Sequence, residues 1–299
     1  MKTVIVVESP AKAKKISTFF KDGEEQTIVT SSFGHIYDLP KKSLSIDIKN
    51  NFEPDYQPLD GKGKVIKELH RYSKNHRILL AADDDREGDA IAWHCGKVMK
   101  VNFNDKNRII FHEVSKSAIE KAIQEVHRLD MNSVNAQQAR RIIDRLVGYS
   151  LSPLLWKHIQ TSQKGLSAGR VQSTLLLILQ EYEKQIEDYS PDTKYVFTGT
   201  MMREGDIQCA FHLHDEIVSP IDVIQSFRKN RNYIIQKQFH KTEHRVPGSP
   251  FITSSLQQVA QNELGYNVKT TMDIAQKLYE NGKITYMRTD STSVSKDFQ

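Results

Sequence analysis

Cysteine is nearly missing from this sequence, whose 299 residues hold only Cys95 and Cys209, neither in a Cys-x-x-Cys pair. That excludes a disulfide framework and a zinc ribbon, and it fits a reducing, cytoplasmic compartment. Long apolar runs are missing too. The longest aliphatic stretch, Leu175 to Leu179, falls far short of the roughly 20 residues that cross a bilayer. Met1 to Val7 offers one lysine and a short apolar stretch before Glu8, too little for an export signal. No segment is repeated or biased enough to read as disordered.

What is present belongs to a globular protein: 38% hydrophobic and 26% charged residues, in a chain long enough for roughly two domains at about 150 residues each. The net charge of +5, from 42 basic and 37 acidic residues, says little by itself. Its distribution says more. Between residues 131 and 180, Arg140, Arg141, Arg145, Lys157, Lys164 and Arg170 face the single acid Asp144, so this stretch alone nets +5 and the remainder is neutral. Such a stretch is either a solvated basic face or a surface for nucleic acid.

The first 130 residues alternate short apolar runs with helical patterns, which predicts an α/β domain with a mainly parallel sheet flanked by helices. Thr3 to Val7 reads as a strand buried on both faces, and Ser9 and Pro10 as the N-cap and first residue of a helix reaching Phe20. Further strands are expected at Thr27–Ser32, Arg77–Ala82 and Ile109–Phe111, with helices at Asp89–Met99 and Ser117–Val126. In such sheets the loops at the carboxyl ends of the strands carry function. Glu8 falls there, as do Asp83, Asp85 and Glu87.

From Ser133 the pattern turns helical, with Ile142, Ile143, Leu146 and Val147 on one face, Arg141 and Arg145 on another, and Pro153 as an interruption. The Gly-rich turn Lys164 to Gly169 then leads a helix whose Val171, Leu175, Ile178 and Leu179 share a face, and its amides and cations suit a phosphate. Residues 190–245 alternate as antiparallel strands, a Pro-Gly-Ser-Pro link follows at 247–250, and Thr253–Leu264 and Thr270–Glu280 read as helices.

Two clusters carry chemistry. Asp83, Asp85 and Glu87 repel one another unless a cation compensates, and their hard oxygen donors suit Mg²⁺, although an acidic run can also be a solvated loop. In Ile284-Thr-Tyr-Met-Arg-Thr-Asp-Ser291, an extended backbone puts Tyr286 and Arg288 on one face, where the guanidinium would stabilise a phenolate and an attacked phosphate together. By itself a tyrosine there is more often a packed one than a nucleophile.

Five segments occur in order: Glu8-Ser-Pro-Ala-Lys-Ala-Lys14, Asp83-Asp-Asp-Arg-Glu-Gly88, Asn135-Ala-Gln-Gln-Ala-Arg-Arg141, Gly165-Leu-Ser-Ala-Gly-Arg-Val-Gln-Ser173 and Ile284 to Ser291. Together they resemble the motifs of bacterial-type type IA DNA topoisomerases, and the first domain resembles a Toprim domain. The resemblance implies a multidomain core: 1–130 a Toprim metal-binding domain, 131–189 a helical DNA-binding domain, 190–249 a β-rich arch segment, and 250–299 the start of a helical domain carrying the tyrosine. It implies that Tyr286 attacks a DNA phosphodiester and becomes joined to the 5′ phosphate. Glu8 then stands near the leaving 3′ oxygen as proton donor and metal neighbour, Asp83, Asp85 and Glu87 hold Mg²⁺, and Lys12 and Arg288 surround the scissile phosphate. His35, Arg140, Arg141, Asp144, Tyr149, Trp156 and the run Lys164, Gly165, Leu166, Ser167, Ala168, Gly169 and Arg170 match positions lining a groove for single-stranded DNA. Tyr149 and Trp156 are equally readable as core, and Asp144 as an i, i+4 partner of Arg140.

The implied reaction exchanges one phosphodiester for another. It would relax negatively supercoiled DNA without ATP, consistent with the lack of a Gly-x-x-x-x-Gly-Lys-Ser/Thr loop, and as a monomer. Members of the family continue well past the tyrosine, whereas this sequence stops 13 residues after it, so an incomplete chain is expected. Two departures from the family pattern are Asp84, between the paired acids, and Asp89, where the family usually has Glu. Two other readings compete: a noncatalytic fragment that binds single-stranded DNA, and a Toprim primase or nuclease, which would leave Tyr286 without a role.

Overall fold

A computed structural model of the chain describes residues 2–20, 27–159, 165–192, 194–203, 207–213, 219–230, 233–234 and 239–294. Lys164, expected in the groove, lies outside the described residues. Two compact units result, Met1–Gln172 with Gly248–Gln299, and Ser173–Pro247.

The first unit opens with β1 (Lys2–Val7), α1 (Pro10–Ser17) with a 3₁₀ turn after it, and β2 (Thr27–Ser31). Short strands β3 (Tyr37–Asp38), β4 (Ile46–Asp47), β5 (Glu53–Pro54) and β6 (Gln57–Pro58) precede α2 (Gly63–Arg71), β7 (His76–Ala81), α3 (Arg86–Val98), α4 (Lys116–Gln124) and α5 (Met131–His158). Among the described residues the central sheet has the order β2-β1-β7, all parallel, with Ile5 paired to Val29 and Leu79. Alternation along β1 builds two cores. Ile5 and Val7 pack with Ile16 of α1 and Ile119 of α4, whereas Val4 and Val6 pack with Leu69 of α2, Ile91 of α3 and Val134 of α5. The α/β sheet with helices on both faces is therefore as expected. Ser9 caps α1 by accepting from the Lys12 amide, also as read from sequence.

Two expectations for the first unit are corrected. Ile109–Phe111 is not a strand: the pairing is limited to isolated bridges of Arg108, parallel to Leu80 and antiparallel to His127, and the Arg108 guanidinium bonds the carbonyls of Ala82 and Ile109. Pro153 does not interrupt its helix, for α5 runs 28 residues through it; the proline removes one N–H bond without ending the surrounding pattern. Along the apolar stripe of α5, Ile142, Leu146 and Val147 are half-buried and Ile143 is exposed, while its buried residues are Val134, Gln137 and Ser152.

α6 (Arg170–Asp188) follows, and the second unit contains β8 (Thr198–Arg203), β9 (Ile207–His212) and α7 (Pro220–Lys229). β8 and β9 form the expected antiparallel pair. Residues 220–229, expected as strand, are helix: Pro220 sits in the first turn, and Phe227 stacks between Phe211 and Tyr233 at 5.2 and 5.5 Å. α8 (Thr253–Leu264) and α9 (Val268–Glu280) return to the first unit, where Ala275 and Tyr279 join the core that holds Ile5 and Val7.

Candidate active site

Glu8 leaves the end of β1, and Asp83, Asp85 and Glu87 leave the end of β7, so parallel pairing brings both acidic sites to one edge. The acidic loop is held tightly. Asp85 is the N-cap of α3, accepting from the Gly88 amide at 2.7 Å, and a Cβ at Gly88 would lie 2.1 Å from the Asp83 carbonyl oxygen, so only glycine fits. Arg108, 1% exposed, donates to the carbonyls of Ala82 and Asp83, both at 2.7 Å, and its Nε donates to Asp89 at 3.1 Å. Asp89 is thereby neutralised. Asp84 faces outward, 3.7 Å from His112.

The tyrosine segment is fixed to the same edge. Gly282, at φ +67°, ends the turn after α9 and sits where a Cβ would be 2.6 Å from the Val114 carbonyl oxygen. The Tyr286 amide donates to the His112 carbonyl at 2.7 Å. Its hydroxyl donates to Asp85 Oδ2 at 2.5 Å, and Arg288 Nη1 reaches the same oxygen at 3.4 Å. Lys12, fully buried, pairs with Asp83. Tyr286 and Arg288 thus share a face, but the guanidinium is aimed at Asp85. Burial, the hydrogen bond to Asp85 and the carboxylates of Asp85 and Asp83 push the phenol pKa far up, outweighing Arg288. The expected phenolate stabilisation is therefore absent in this arrangement.

Glu8 has its carboxyl pushed up to about 7, chiefly by burial and then by the charge of Asp83, against the pull of Lys12. The donors are hard oxygens under mutual repulsion, which is the chemistry a divalent cation requires. Their oxygens are, however, engaged by Lys12, Tyr286, Arg288, and, at Glu87, by His35 at 3.2 Å and Gln137 at 3.1 Å. Among the described residues no three His, Cys, Asp or Glu side chains are grouped closely enough to hold a metal.

A cavity of about 310 Å³ opens beside Glu87, lined by His35, Tyr56, His94, Gln137, Arg140 and Arg141, with Asp144 at its rim. Arg141 pairs with Asp38, whose carboxyl stays low: burial raises it, but the hydrogen bonds from Arg141 and the Leu39 amide prevail. Asp144 pairs with Arg170 at 3.1 Å instead of Arg140. Tyr149 and Trp156 are exposed and not core. The Tyr149 hydroxyl donates to the Lys41 carbonyl at 2.5 Å with Arg145 over its ring, and Trp156 Nε1 donates to the Leu166 carbonyl at 2.5 Å. In the Gly165–Gly169 turn, the Ala168 amide is already taken by Ser152 Oγ at 3.1 Å, and Ser167 Oγ by Gln172.

Two family descriptions match this chain. Residues 3–114 match the Toprim domain, and residues 128–299 match DNA topoisomerase. The chain belongs to the DNA topoisomerase family. Among solved structures it is similar to a full-length topoisomerase I from Thermotoga maritima, with a TM-score of 0.84 and 38% identity, over 99% of this chain and 51% of that one. The chain thus spans about half the length of that relative, and it matches the Toprim-containing, type IA kind. A primase or nuclease reading falls away, because neither accounts for residues 128–299.

Within this topoisomerase edge, two residues were missed from sequence. Arg108 is legible only as a charge inside the apolar run Arg108-Ile-Ile-Phe111, a pattern that fits a surface strand equally well. Tyr279 follows Thr271 and Ala275 at helical spacing as a core face of α9. Nothing local shows that its ring meets Lys12, with the ammonium 4.7 Å from the ring centroid.

Proposed function

We propose that this chain carries the cleavage centre of an enzyme that relaxes negatively supercoiled DNA without ATP, by cutting one strand through a 5′-phosphotyrosyl link at Tyr286, passing a strand and resealing. The observation that carries this reading is the Tyr286 hydroxyl resting on Asp85, within an edge that also holds Glu8, Lys12 and Arg288.

In the proposed reaction the Tyr286 oxygen forms a bond to phosphorus and the bond from phosphorus to the 3′ oxygen breaks. The phenolic proton passes to Asp85, which is already its hydrogen-bond acceptor. Glu8, its carboxyl pushed up to about 7, is protonated in about half of the molecules at neutral pH and in that form gives its proton to the departing 3′ oxygen. Lys12 and Arg288 offset the phosphate charge. Asp83, Glu87 and Glu8, which are not grouped as metal ligands in the arrangement described, would have to draw together to hold Mg²⁺, which would supply positive charge where the carboxylates otherwise repel the DNA backbone. Resealing runs the same steps backward, so bond energy is conserved and torsion in the DNA drives the net change.

The groove is proposed to run past His35, Arg140, Arg141, Asp144 and Arg170, with cations on phosphates and Tyr149 and Trp156 available for stacking. The four-part division at 130, 189 and 249, a monomeric state and a cytoplasmic setting belong to this proposal. No helix among the described residues is long and apolar enough to cross a membrane.

Incubation with 3′-labelled single-stranded oligonucleotide and Mg²⁺, followed by denaturation, tests the reading. A covalent adduct that disappears completely in Tyr286→Phe supports it. Salt-sensitive binding with no adduct would instead make this polypeptide a single-strand-binding fragment.

A further inference from the structure

Tyr279 touches the buried ion pair and the tyrosine at 286 at once. It is 1% exposed, in the last turn of α9, and its ring centroid lies 5.1 Å from that of Tyr286 at an interplanar angle of 55°. The Lys12 ammonium stands 4.7 Å from the same ring, and the Tyr279 hydroxyl lies 3.5 Å from Asp83 Oδ1, the oxygen that pairs with Lys12. Lys12 comes from α1 and Asp83 from the end of β7, so the ring closes a path between three elements. A lysine ammonium removed wholly from water is stabilised by its counter-ion Asp83 and further by the aromatic face beside it.

We infer that Tyr279 is a positioning residue: its ring seats the Lys12 ammonium and the Tyr286 ring together, and its hydroxyl orients Asp83, so that the cation and the nucleophile arrive at one phosphate in register. This rests on Tyr286 being the nucleophile. The tilted ring pair fixes where the Tyr286 ring can lie when its hydroxyl leaves Asp85 for phosphorus. Truncating the ring would let Lys12 and Tyr286 drift apart by distances that matter to a reaction needing reacting atoms about 3–3.5 Å apart.

Two variants separate the parts. Tyr279→Phe keeps the ring and removes the hydroxyl; Tyr279→Leu removes both. Adduct formation on a single-stranded oligonucleotide is followed at saturation and at half-saturation, alongside the thermal midpoint and acetylation of Lys12 by a lysine-reactive ester read by mass spectrometry. The expected result is an unchanged half-saturation concentration in both variants. The saturated rate falls several-fold for Tyr279→Phe and about a hundredfold for Tyr279→Leu, in which Lys12 becomes acetylated. Wild-type saturated rates in both variants, or a loss confined to oligonucleotide affinity or to the folded fraction, would overturn the assignment. If the unaltered chain gives no adduct, the reading of Tyr286 in this polypeptide fails separately. The seating of Lys12 is then judged by acetylation alone, and equal labelling of the unaltered chain and Tyr279→Leu overturns it.

Discussion

Helices α3 and α6 show two ways of using apolar sequence. α3 buries eight of its 13 residues, from Gly88 to Gly96, whereas α6 buries none of its 19. Both carry apolar side chains at helical spacing, so the pattern alone does not decide burial. α3 has a facing sheet: Ile91 and Ala92 meet Val4 and Val6 of β1, and its N-terminus therefore sets Asp85 and Glu87 to within the tolerance of a packed core. α6 leaves Leu175 and Ile178 more than half exposed. The acidic edge is consequently over-determined, with ionisable groups buried and their proton affinities displaced, while Arg170 at the start of α6 remains in contact with solvent.

The contrast would break first at Lys12. Lys12→Ala leaves Asp83 buried without its partner, and a cost of about 3–5 kcal/mol is expected in urea unfolding; a loss below about 1 kcal/mol would show that the edge is not rigidly built. The next effect belongs to His94, whose two ring nitrogens are buried and have no hydrogen-bond partner among the described residues. Burial, followed by the charges of His35 and Lys97, lowers its pKa from 6.5 to about 4. Between those values the unfolded chain binds the proton and the folded one does not. Stability is therefore complete above pH 6.5 and falls as pH drops toward 4, by up to about 3 kcal/mol. His94→Leu should flatten that limb of the stability profile; an unchanged slope would assign the loss to other groups.

Gly282→Ala tests the turn that delivers Tyr286. With φ at +67° and the Val114 carbonyl in the way, it should cost about 1–3 kcal/mol and lower the thermal midpoint and the adduct yield together. The smallest change is expected in the exposed region. Arg170→Ala breaks a solvent-exposed pair with Asp144 and should shift stability by no more than about 0.5 kcal/mol. Oligonucleotide affinity should nonetheless drop, with the slope of log K against log salt reduced by about 0.7. A stability effect as large as that of Lys12→Ala would erase the distinction between the two regions.

Much of the edge was legible in the residues. The β-branched run Thr3 to Val7 and the strand ending at Ala81 announce a sheet buried on both faces, and acids immediately after both strands point to a shared site. Tyr286 with Arg288 was legible for its spacing, but not for where the guanidinium points: two acids contributed by a loop about 200 residues earlier outweigh a cation two residues away. Pro153 and the expected strand at Ile109 misled because a proline and an apolar triplet are local signals. The long helix and the buried Arg108 are settled by what lies beside them.

Order and chemical type were thus determined by the sequence: the strand and helix periods, the hard-oxygen donors, the basic stretch and the five motifs that mark the family. The tertiary structure alone decided which charges meet. Lys12 is buried against Asp83 and Tyr279, Asp89 is neutralised by Arg108, and Asp144 turns to Arg170. The reason is physical: helical and strand periods are set by neighbours along the chain, whereas Coulomb energies and desolvation depend on distances that exist only after distant segments pack.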